Sequence, residues 1–181
     1  MSIRGIREII EEYKSLQRNP ILNLPITIGL PNENDILKWR ISMIGPKDTP
    51  YKNGCFLISM DFTRDYPIYH PDIHFITPIY HLNVFPKKTP TSPPGEICLA
   101  IFSRWNPSYK IEDILVSIYA LFYMVNPDSP FSLDRENEYR NNRTLYEEKI
   151  RYFTNKYANP RDFIHWTNVE INGDWDFSYN P

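Results

Sequence analysis

A chain of 181 residues is long enough for one well-buried core with a tail, and nothing in it asks for a second core. With 41% hydrophobic residues, 23% charged residues and a net charge of -2, it lacks the basic excess that phosphate backbones demand, which argues against nucleic acid as a partner. Two cysteines and four histidines on separate stretches are too few for a disulfide framework or a metal cluster. No window is apolar enough to span a bilayer and no apolar leader follows Met1, so the expectation is a cytoplasmic or nuclear protein without metal or membrane.

In chain order, Ile6, Ile9, Ile10, Tyr13 and Leu16 recur at helical spacing with charges between them, and Asn19-Pro20 closes this amphipathic helix. Segments 26–30, 36–44, 55–61 and 73–76 alternate β-branched or aromatic residues with polar ones. Pro31-Asn32-Glu33-Asn34 and Lys52-Asn53-Gly54 supply turns, which predicts an antiparallel four-stranded meander. Cys55 falls inside the third strand and reads as a core residue.

The stretch 80–107 is different. His81-Leu82-Asn83 is followed by a proline-rich passage, then Gly95-Glu96-Ile97-Cys98-Leu99 and Trp105-Asn106-Pro107. Prolines and glycine before Cys98, and Ser103 to Pro107 after it, put its backbone near the surface on a long loop. A thiol there is a potential nucleophile, and the Asn83 amide is a potential donor to a reacting oxygen. Asn83 equally suits a bracing role, with its amide tying down the loop that carries Cys98. Histidine 81 reads as a structural residue held by backbone partners; the competing reading makes it a general base for Cys98.

Ile111, Ile114, Leu115, Ile118, Leu121, Phe122 and Val125 then mark the most apolar helix, the expected central cover of the sheet. Asn126-Pro127-Asp128-Ser129-Pro130 stops it, and 133–142 and 144–158 read as two more polar helices. The order gives an α+β fold: an N-terminal helix, a four-stranded antiparallel meander, a long active-site loop, a central buried helix and two C-terminal helices. Residues 1–158 form the core domain. Residues 159–181 form an extension that Phe163, Trp166, Trp175, Phe177 and Tyr179 make too aromatic for a disordered tail, so it is expected to dock on the domain or on a partner.

From about residue 6 to 158 the chain resembles ubiquitin-conjugating (E2) enzymes, which have the UBC fold. The resemblance rests on Leu16-Gln17-Arg18-Asn19-Pro20, Trp39, Ile44-Gly45-Pro46, Pro50-Tyr51-Lys52-Asn53-Gly54 and Asp65-Tyr66-Pro67. It continues through His81-Leu82-Asn83, Gly95-Glu96-Ile97-Cys98-Leu99, Trp105-Asn106-Pro107, Asn126-Pro127-Asp128 and Asn155-Lys156-Tyr157-Ala158, all in the family's order. It implies that Cys98 accepts ubiquitin, or a ubiquitin-like modifier, from an activating enzyme (E1) as a thioester. The modifier then passes to a lysine of a protein substrate or to a ligase (E3). No cofactor is implied, since the E1 uses the ATP. By the same resemblance Asn83 is the oxyanion donor, Arg4 and Arg7 face the E1, and Pro67, Ile68 and Pro107 face the E3.

Departures from the family pattern sharpen what has to be explained. Leu82 replaces the proline of His-Pro-Asn, freeing a backbone N–H. Ser129 stands where many members carry an aspartate that orients the incoming lysine; a hydroxyl can orient but supplies no charge. Residues 85–94 lengthen the loop, either as a tolerated surface insertion or as a stiff flap that filters access to Cys98. Glu8 and Glu11 interrupt the basic face of the first helix. Two other functions stay open on these grounds: a catalytically weak or inactive E2-like module that binds ubiquitin or a ligase, and a cysteine hydrolase using Cys98 with His81.

Overall fold

The computed structural model describes residues 3–19, 21–87, 90, 93–162, 166–170 and 174–180. Four strands, β1 (Ile26–Gly29), β2 (Lys38–Ile44), β3 (Cys55–Asp61) and β4 (Asp72–Phe75), pair antiparallel in sequence order. The register sets Trp39 opposite Met60, Ile41 opposite Ile58, Met43 opposite Phe56 and Ile58 opposite Phe75. With a side-chain period of two, these residues share one face and bury it completely.

Helices α1 (Ile3–Arg18), α2 (Ala100–Ser103), α3 (Ile111–Ala120), α4 (Leu133–Asn141) and α5 (Arg143–Tyr157) complete the α+β architecture. On α3, Ile111, Ile114, Leu115 and Ile118 pack into the core with the inner sheet face. Ile9 carries the contact from α1, whereas Ile6, expected on the same stripe, stays exposed. Glu12 joins the two helices by accepting from the Ile111 N–H at 2.7 Å and the Tyr66 hydroxyl at 3.1 Å. Among the described residues no helix is long and apolar enough to cross a membrane.

Two features differ from the sequence expectation. The central helix ends at Ala120 rather than running to Val125, and tighter i→i+3 bonds from Leu121, Phe122 and Tyr123 replace its last turn. The Leu121 carbonyl faces His81 at 3.0 Å instead of serving a further helical turn. The short α2, which starts two residues after Cys98, falls inside the expected long loop; its four residues are too few for a periodic signal.

Cysteine 55 is buried, but not in the main core. Strand β3 is buried on both faces from Cys55 to Met60, and such a strand needs cover on both. On the outer side Cys55, Leu57 and Ile76 form a separate cluster beneath Trp166 and Val169 of the extension. Glu170 adds an ion pair to the buried Arg40 at 3.1 Å. Residues 174–180 lie against α5, where Phe177 meets Phe153 edge-on and Tyr179 meets Tyr152.

Candidate active site

Cys98 is placed by strand-like pairing rather than by a helix or regular strand. The Phe85 N–H donates to the Glu96 carbonyl and the Gly95 N–H to the Phe85 carbonyl, each at 2.8 Å, and Val84 bridges Ile97. These bonds close the proline-rich loop at its base. Gly95 in turn accepts from the Phe75 N–H at the end of β4, at a φ of +93° where a Cβ would sit 2.1 Å from the Phe75 oxygen. Only glycine fits this approach. Continuing the pairing, the Cys98 N–H donates to the Asn83 carbonyl at 3.0 Å.

The turn 81–84 on the other side of that bond is satisfied at almost every backbone group. Its ends are joined by Val84 N–H to the His81 carbonyl at 3.4 Å, and the Leu82 carbonyl accepts from Phe131 N–H at 3.0 Å. The Leu82 N–H, which a proline would lack, donates to the Tyr146 hydroxyl at 3.1 Å. Its side chain is fully buried. The Asn83 N–H donates to His81 Nδ1 at 3.0 Å, so that nitrogen is the acceptor and Nε2 carries the proton given to the Leu121 carbonyl. Burial lowers His81 to about 4, which keeps it neutral. With both ring nitrogens committed, His81 has no free lone pair to take a proton from Cys98.

The Asn83 side chain is equally committed. Its Nδ2 donates to the carbonyls of Asn126 and Ser129, both at 2.8 Å, and its Oδ1 accepts from the Asn126 N–H at 2.8 Å. The residue is wholly buried. Both Nδ2 hydrogens are thus engaged, and a donor to an oxyanion is released only if one of these bonds is given up. Ser129 itself is exposed and meets Asn83 through its carbonyl.

Burial pushes the Cys98 thiol up, and the carboxylate of Glu96 adds to the rise. The thiolate is therefore scarce at neutral pH. Alkylation of Cys98 by iodoacetamide is expected to accelerate about tenfold per pH unit beyond the ordinary thiol range near 8.5. Glu96→Gln removes a repulsion, lowers the thiol pKa and should speed alkylation at pH 7.5 by roughly two- to fivefold. A plateau below pH 8, or a slower Glu96→Gln protein, would contradict this electrostatic account. Cys55, which contacts the Ser42 hydroxyl at 3.2 Å and lies beneath apolar cover, should alkylate far more slowly.

The remaining expected residues lie on three surfaces. Ile68 and Pro107 are exposed on adjacent loops that Trp105 ties together, its indole N–H donating to the Pro67 carbonyl at 2.9 Å. Arg4 and Arg7 are exposed on α1 and line a groove with Glu8, Glu11 and Lys110, where Glu8 pairs with Lys110 at 3.4 Å. Of the residues 85–94 that carry the flap reading, 88, 89, 91 and 92 lie outside the described residues. Sequence reasoning missed Tyr146, Asn126 and Arg135, all of which hold the 81–84 or 126–129 segments. Only Asn126 carried a signal, its place in the Asn-Pro-Asp stop.

Comparison with known proteins agrees with this geometry. The family model described as ubiquitin-conjugating enzyme matches residues 8–154. The chain is 35% identical over 152 residues to a protein named ubiquitin-conjugating enzyme E2 1 from Caenorhabditis elegans, covering 83% of this chain and 74% of that one. It is 32% identical over 152 residues to ubiquitin-conjugating enzyme E2 2 from Candida albicans, covering 83% and 79% respectively. The family model spans most of the chain and both relatives exceed 30% identity, so this protein belongs to the ubiquitin-conjugating (E2) enzyme family, and its α+β architecture is the UBC fold.

Proposed function

We propose that the protein is a catalytically active E2 whose nucleophile is Cys98. The Cys98 thiolate attacks the thioester that joins ubiquitin, or a ubiquitin-like modifier, to the E1; a new thioester forms and the E1 thiolate leaves. In the second step a neutral lysine amine of the substrate attacks that carbonyl, the C–S bond breaks, an isopeptide bond forms and the amine proton passes to solvent. Transfer to an E3 cysteine follows the same exchange as the first step. The E1 consumes the ATP, so no cofactor is needed here. The observation that carries the reading is a partly exposed thiol on a loop pinned from both sides, through Asn83 and through the Gly95 approach to β4.

In this reading Asn83 braces the site, with His81 and Leu82 holding its backbone, and Ser129 borders the lysine approach. Pro67, Ile68 and Pro107 form the E3 surface, and Arg4 with Arg7 serves the E1. The test is to incubate the protein with E1, ubiquitin and ATP and to look on a non-reducing gel for an adduct that a thiol reagent removes. Absence of that adduct with several E1 enzymes, in folded protein, sinks the reading in favour of a binding module without chemistry.

A further inference from the structure

The guanidinium of Arg135 on α4 is almost fully buried, and it sits in the corner made by two aromatic rings, over Tyr80 at 4.3 Å and over Phe177 of the extension at 4.5 Å, the rings themselves meeting edge-on at 5.6 Å. Its Nη1 donates to the His81 carbonyl at 3.0 Å and to the Val84 carbonyl at 3.4 Å. These are the two ends of the turn whose third residue is Asn83. Among the described residues no carboxylate approaches it within ion-pair distance, so carbonyls and ring faces do the work that a counter-ion usually does.

We propose that Arg135 and Phe177 are positioning residues for the active-site turn, so that the C-terminal extension forms part of the structure that holds Asn83 and Cys98 in register. The chain of contact is continuous. Phe177 covers one face of the guanidinium, the guanidinium clasps the turn, Asn83 receives the Cys98 N–H, and its amide anchors 126–129. A planar, weakly hydrated cation suits this place, since its Nη1 alone reaches both carbonyls while the guanidinium carbon lies over both rings. Phe177 is itself held in place: it contacts Phe153 at 4.9 Å and Tyr80 at 5.6 Å, and Lys156 pairs with the neighbouring Asp176 at 3.1 Å. Without the ring, water reaches the exposed face of the cation and competes for its donors, and the turn loses its clasp.

The inference rests on the proposed activity only for its catalytic readout. Hydrogen exchange of the Leu82, Asn83, Val84 and Cys98 amides needs no ubiquitin, and each of these N–H groups has a partner in the network. In Phe177→Leu and Arg135→Met full-length protein these amides should exchange at least tenfold faster, while Ile114, Leu115 and Ile118 on α3 keep their rates. Phe177→Tyr, which restores a ring face, should behave as the parent. If Cys98 carries ubiquitin, discharge to lysine should slow in the first two variants and recover in the third. Unchanged turn amides in Phe177→Leu, or acceleration that is equal throughout the molecule, overturn the proposal. Should Arg135→Met fail to fold, Phe177→Leu and Phe177→Tyr decide it alone. A parent protein that forms no thioester removes the proposed activity but leaves the exchange result standing.

Discussion

Exchange of Cys98 for serine is expected to abolish the thiol-sensitive ubiquitin adduct completely and to leave at most an ester that reducing agent does not cleave. A serine hydroxyl does not ionise near neutral pH, and an oxygen ester is a far poorer donor than a thioester, so turnover stops at loading. Cys98→Ala should give no adduct of either kind. Cys55→Ser should charge normally, because Cys55 lies under Trp166 and Val169 with its thiol pKa raised by burial. The comparison is read on paired gels with and without thiol reagent, and the linkage is placed by mass spectrometry. Retained charging in Cys98→Ala, or lost charging in folded Cys55→Ser, would mean that the other cysteine is the nucleophile.

Asn83→Ala is expected to slow both loading and discharge to a similar degree and to lower stability by about 3 kcal/mol. The magnitude follows from what the buried amide holds: two carbonyls and one N–H of the 126–129 segment lose their partner. For a chain of this size that corresponds to a Tm lower by roughly 10 °C. Asn83→Asp should be worse, since a carboxylate in that position faces two carbonyl oxygens with no hydrogen to offer. Bracing and oxyanion stabilisation predict different patterns. A donor to the oxyanion acts mainly on lysine attack, where only ~0.04% of an unperturbed amine is neutral at pH 7, and its loss costs discharge about a hundredfold with little effect on loading. Single-turnover rates for the two half-reactions, with the melting curve, separate the two. A selective hundredfold loss of discharge at unchanged Tm would falsify the bracing role.

How far the chain could be read from its letters depends on the range of the interactions involved. The strands, α1 and the body of α3 are local patterns: Trp39, Ile41 and Met43 alternate, and Ile111, Ile114, Leu115 and Ile118 follow a helical period, so each element announces which face it buries. The end of α3 was misplaced because the apolar spacing continues through Phe122 and Val125, while a partner forty residues away, His81, occupies the Leu121 carbonyl. Cys55 looked like a core residue on composition alone. Its burial is real, but its cover comes from residues more than a hundred positions later.

The sequence by itself determined the α+β class, the E2 likeness and Cys98 as the candidate nucleophile, because alternation, helical period and turn residues act over a few neighbours and the motif residues keep their order. The tertiary structure alone decided that both nitrogens of His81 and all of the Asn83 amide are committed to partners. It also decided that Leu82 spends the N–H a proline would lack on Tyr146, and that Arg135 is a buried clasp rather than a solvated helix charge. Apart from the local Asn83 N–H to His81 Nδ1 bond, each of these is a hydrogen bond across a long sequence separation, whose geometry depends on where α3, α4, α5 and the extension pack. A local pattern carries no record of that placement.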